Sequence, residues 1–401
     1  GTNRITILGN YLGTDITGTQ NLGNTDNGIF LADTQNAVIG NSTPAGRNII
    51  AGNLLSGIRN SKSPGTVIAG NYVGLDVSGM VAVGNQLHGI YVDDSANVVI
   101  GGGNSANRNL IAASKVIGVF IAGTTSNTLI ENNFVGLKAD GLSDAGNLNA
   151  GIETQTTTGV TIRSNVVAAN KTRGIHLVTS PSTTITNNLI GLNAAGTLDR
   201  GNSSHGIDIE NGVTGLSMSH NTISGNGGNG IFIITLSGNS SIFTSTSLLG
   251  NRIGLALDGT TPLANDGAGV WIEASNGVVI GGYATSEANQ IAYNKGDGIA
   301  IVGAASNRNT VRRNSIYANL GLGIDLNNDN VTINDANDAD TGYANDSLNF
   351  PMLVSARLDG TTMLLKGCAP TGSTIELYEA DVTVGTAAAG ANKFGRTKDY
   401  G

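Results

Sequence analysis

The chain has 401 residues, of which only 12% are charged, and 21 Lys and Arg against 29 Asp and Glu leave a net charge of −8. So few cations form no basic stripe to neutralise phosphates, which argues against a nucleic-acid binder. No run of 18 apolar residues is present to span a membrane as a helix. The 59 glycines and 49 asparagines suit tight turns, where both residue types tolerate positive φ.

The chain opens without Met inside a repeat-like phrase, Thr6-Ile7-Leu8-Gly9-Asn10, which reads as a fragment or processed product whose targeting segment lies outside it. From Gly28 onward a glycine followed by an alternating apolar pair recurs eleven times, from Gly28-Ile29-Phe30-Leu31 to Gly323-Ile324-Asp325-Leu326, in steps of 23 to 39 residues. A period in that range predicts a solenoid, in which each repeat buries its apolar face only by stacking on the next. Equivalent residues of neighbouring copies are then expected about 4.8 Å apart.

A second marker, Asn10-Tyr11-Leu12-Gly13, returns at Asn71, Asn133, Asn188 and Asn251 in steps of 55 to 63 residues, so the full unit is a pair of unequal turns. The longer turn carries an insertion, as at Leu75–Asn85, and such loops are expected along one edge. The five marker asparagines are expected to form part of an amide ladder between rungs. A third strand signal lies between the markers, as in Ala37-Val38-Ile39-Gly40 and Val98-Val99-Ile100-Gly101. Short β-branched strands without an amphipathic helix predict an all-β, right-handed parallel β-helix solenoid of about eleven coils over residues 1–328.

The repeat stops near residue 330, and residues 325–346 hold six Asp and no Lys or Arg. Residues 329–349 read as an acidic Asn/Asp-rich linker or calcium loop, with Asp335, Asp338 and Asp340 as candidate ligands because their oxygens alternate along the chain. Calcium is the only cofactor suggested. Residues 350–401, with strands at Met352-Leu353-Val354, Met363-Leu364-Leu365 and Ser373 to Tyr378, read as a partial immunoglobulin-like β segment or a cap. The single Cys368 has no partner for an internal disulfide.

The phrases Gly70-Asn71-Tyr72, Asn27-Gly28-Ile29-Phe30 and Arg108-Asn109-Leu110-Ile111 resemble the right-handed parallel β-helix repeat proteins of bacterial surfaces. The resemblance covers residues 1–380 and implies a secreted or surface-displayed protein. It is poor for function, because the fold hosts adhesins, lyases, hydrolases and epimerases alike. The signatures of polygalacturonases, pectate lyases and alginate epimerases are not matched.

One column carries candidate chemistry. In each Gly-Ile-x-Ile copy the residue between the apolar pair should point outward. Read in order, this column places Glu153, His176 and Asp208 on successive rungs, with Glu210 beside Asp208. Aromatic residues flank them, Tyr91 and Phe120 on one side and Phe232 and Trp271 on the other. Arg59, Asp93 and Glu273 complete the candidate ligand-binding set. Aromatics on a flat sheet offer stacking surfaces to sugars. Acids beside a histidine are suited to general acid–base work. Glu153 and Asp208 are expected about 9.6 Å apart at the backbone, near the carboxylate separation of inverting glycosidases, about 6.5–9.5 Å. His88 and His205, just before their glycines, read as turn residues.

The leading reading is therefore an extracellular or cell-surface protein for adhesion or scaffolding that recognises polysaccharide along this face. The first alternative is a polysaccharide-active lyase, hydrolase or epimerase using Glu153, His176, Asp208 and Glu210. The second is a fibre subunit that self-associates end to end.

Overall fold

The computed structural model describes residues 3–211, 213–236, 242–336, 339, 341–372 and 375, with no side-chain description at 242–244. Three parallel sheets of eleven strands each run the length of the solenoid, one strand of each sheet per coil. Strands of the third sheet begin one residue after the repeated glycine, as in Ile90–Asp93, Val119–Ala122 and Ile152–Gln155. The expected β-helix of eleven coils is thus what the chain forms.

The reason lies in the side chains of one rung. Ile90, Val119, Ile152, Ile175 and Ile207 stack in register and are fully buried. They form one continuous apolar core with the inward residues of the other two sheets. The repeated glycine is required by close approach. A Cβ on Gly118 would lie 2.6 Å from the Gly151 carbonyl oxygen and 2.9 Å from Val135 Cγ1. Gly136 closes the second marker at φ +98°, where a Cβ would also meet the Ala168 carbonyl at 1.9 Å.

The amide ladder is denser than the sequence pattern suggests. It has a member in every coil, running through Asn10, Asn48, Asn71, Asn109, Asn133 and onward to Asn314. Each side chain before Asn314 donates to the carboxamide oxygen of the next rung and to a backbone carbonyl, and Asn314 donates to the Ile280 carbonyl, so the buried turn groups are satisfied. A second ladder runs from Asn24 through Asn53 to Asn85 and from Asn147 to Asn319, broken where Ser114 replaces asparagine.

The inserted loops stack on one another along one edge, as expected. A backbone bond joins each to the next: Val77 to Gly18, Ala139 to Gly79, Ala194 to Gly141 and Leu257 to Gly196. An Asp or Asn folds each loop; Asp76 Oδ1, for example, accepts from the Met80 and Val81 amides. At the C-terminal end, Ala344 enters the core cluster and Asn345 pairs with Asn309 in both directions. Leu348 and Phe350 face Ile324 and Leu326 across a cavity of about 280 Å³. Beyond this cap, Met352–Asp359 and Thr362–Cys368 form an antiparallel hairpin. Of the third expected strand, Ser373 to Tyr378, only residue 375 lies among the described residues.

Candidate functional site

The outer face of the third sheet carries the column in the expected register: Tyr91, Phe120, Glu153, His176, Asp208, Phe232 and Trp271 pair in succession. Its exposure departs from the expectation. His176 is only 7% and Asp208 only 1% exposed, although both point away from the core. Rungs 4.8 Å apart leave little room between long polar side chains. In addition, Arg173, from the turn before the His176 strand, lies over Asp208.

Arg173 was not singled out by the sequence reading, and it organises the centre. Its Nε donates to Asp208 Oδ2, and its Nη2 lies 3.3 Å from Glu210 Oε1. His176 sits between two carboxylates, with Nδ1 3.2 Å from Glu153 Oε2 and Nε2 3.2 Å from Glu210 Oε1. Neither ring nitrogen is aligned for a hydrogen bond, and Asp208 Oδ1 is also buried without a partner among the described residues. Burial depresses the His176 pKa, but the nearby Glu153 and Asp208 carboxylates more than offset this, and the net shift is upward. The structure thus brings Glu153, His176, Asp208 and Glu210 into one cluster.

The flanks are built differently. Tyr91 and Phe120 stack with centroids 5.1 Å apart, and His88 packs against both. Arg59 lies over the rings of Phe30 and Tyr91 and 3.3 Å from Asp93, which also accepts from Ser61. On the other flank His205 stacks on Phe232 at 4.5 Å, and Trp271 Nε1 donates to Glu273 Oε2. Tyr91, Phe120 and Phe232 therefore spend part of their faces on neighbouring rings, and all three, like Trp271, remain partly exposed.

His88 and His205, read as turn residues, belong to this face. The available signal was positional: His88, Arg173 and His205 all stand immediately before the repeated glycine, a third column beside the first. Burial pushes the His88 ring down to about 4 and lowers His205 as well. The acidic segment is separate. Asp335 accepts from the Ala339 amide and lies 3.2 Å from Asn349 Nδ2, while Asp338 and Asp340 lie outside the described residues.

Residues 74–253 match the family model described as "Right handed beta helix region". The chain has the right-handed parallel β-helix fold. Several solved β-helices are similar to it at low identity. The A-module of a mannuronan C-5 epimerase from Azotobacter vinelandii matches at 16% identity and TM-score 0.39, over 72% of this chain and 68% of that one. A surface adhesin of Streptococcus pneumoniae matches at 11% and 0.36, over 80% and 79%. A tailspike protein of an Escherichia coli O157:H7 bacteriophage matches at 12% and 0.40, over 88% of this chain and 45% of its own length. No helix among the described residues of this β-helix is long and apolar enough to cross a membrane.

Proposed function

We propose that this β-helix is an extracellular or surface-displayed protein that binds polysaccharide along the outer face of its third sheet. The observation that carries the reading is a single in-register column in which half-exposed aromatics flank a polar centre on both sides. A sugar chain laid along the solenoid axis would meet apolar ring surface, then charged hydrogen-bonding groups, then apolar surface again. The rigid stack holds these groups at a fixed spacing, so little ordering cost accompanies binding. Asp208 lies almost fully buried beneath Arg173, and this weighs against reading the cluster as an open acid–base site. The cover over the C-terminal end weighs likewise against stacking of copies through that end.

A polysaccharide array probed with the intact protein tests the proposal, with turnover assayed in parallel. Binding is expected, with Trp271→Ala and Phe232→Ala each weakening it about tenfold, equivalent to about 1.4 kcal/mol. Absence of binding, or binding indifferent to both changes, sinks the reading. Product release that disappears in Asp208→Asn replaces it with the enzymatic one.

A further inference from the structure

We infer that the centre of the third-sheet face is a divalent transition-metal site formed by His176 Nε2, Asp208 and Glu210, with Glu153 as the carboxylate that orients the imidazole. The inference is independent of the polysaccharide reading. One ligand atom from each of His176, Asp208 and Glu210 falls within 4.8 Å of the others, and Nε2 and Glu210 Oε1 are 3.2 Å apart. Donors around a four-coordinate metal at about 2.0–2.2 Å stand about 3.3–3.6 Å from one another, so small side-chain rotations close the set.

Two further observations point to a cation. Both His176 nitrogens and Asp208 Oδ1 are buried and have no hydrogen-bond partner among the described residues, which is costly unless another group engages them. The imidazole is also placed as a metal-binding histidine usually is: Glu153 Oε2 lies 3.2 Å from Nδ1, on the side of the ring opposite Nε2, where a carboxylate can orient the ring toward a metal held by Nε2 and the two acids. The cluster holds three carboxyl groups against one guanidinium, so with a neutral imidazole it keeps a net negative charge that attracts a cation. Arg173 supplies the cation at this point by pairing with Asp208 and Glu210. Its side chain is 32% exposed and has open water to move into, so metal and guanidinium compete for the same oxygens.

The test is calorimetric titration of the full chain, stripped with chelator, with Zn²⁺ and separately with Mn²⁺, each variant being checked for its far-ultraviolet circular dichroism. One equivalent of at least one ion is expected to bind. His176→Gln and Asp208→Asn should each weaken that binding about 100-fold or more, and Glu153→Gln about 10–100-fold. Arg173→Ala should tighten it, because the competing cation is gone. The inference is overturned if the folded wild-type chain binds neither ion saturably. It is equally overturned if binding persists unchanged in His176→Gln and Asp208→Asn, or if Arg173→Ala weakens it.

Discussion

Asn133→Ala is expected to lower the free energy of unfolding by about 3–6 kcal/mol, measured by urea denaturation followed by circular dichroism. Asn133 is fully buried at the middle of the first ladder. Its Oδ1 accepts both the Asn109 backbone amide and the Asn109 carboxamide, at 3.2 and 3.0 Å. Its Nδ2 donates to the Ile100 and Glu131 carbonyls and to Asn165 Oδ1. Alanine therefore strands two buried donors of one neighbour and removes a donor from three acceptors. Each orphaned group costs about 1–3 kcal/mol, far more than the net worth of a bond with both partners removed. Because each coil is stabilised only by its neighbours, the loss falls on the junction between two halves of the stack. The same change at Asn10 should cost about 1 kcal/mol or less, since water can replace its partners at that exposed rung. Equal and small losses at the two positions would remove the ladder from the account of stability. Ser114 shows how the second ladder tolerates a gap: its amide still donates to Asn147, but its hydroxyl is left without a partner.

Stability is expected to fall as the pH drops from about 6.5 to about 4, by roughly 3 kcal/mol in total through His88. The ring packs against both Tyr91 and Phe120, and its Nδ1 is buried without a hydrogen-bond partner among the described residues. Burial therefore favours the neutral form, against a smaller opposing pull from Glu153, and the folded pKa lies below the ordinary value of 6.5. The contribution is fully present above 6.5 and is lost as the pH falls through the folded value. His205 is shifted the same way by burial, against Asp208. His176 behaves oppositely. Its folded pKa is raised, so its contribution is present below 6.5 and is lost as the pH rises through the folded value. Melting temperatures between pH 4 and 8 separate the groups. His88→Phe should flatten the acid limb, and His176→Gln should steepen it. An acid limb unchanged in His88→Phe would show that its ring is not the group being protonated.

These expectations divide between what the repeat dictates and what it leaves open. The glycine spacing and the apolar alternation determined the three-sheet solenoid, the eleven coils and the register of the outward column. Each follows from local periodicity, with inward residues stacking at one strand spacing, as in the Ile90 to Ile207 column. The same reasoning placed Glu153, His176, Asp208 and Glu210 on adjacent rungs. It saw only every second member of the asparagine ladder, because Asn48, Asn109 and Asn165 stand in phrases with a different local pattern.

What the tertiary structure decided was which outward residues water reaches. Periodicity gives direction relative to the core. Burial on the outer face depends on side chains arriving from turns whose paths vary between coils. Arg173 comes from such a turn, covers Asp208 and ties it to Glu210. His88 and His205 come from equivalent positions and join the aromatic flanks. The closing of the C-terminal end by Ala344 and Asn345 was likewise decided in three dimensions, because the acidic segment has no repeat to set its register.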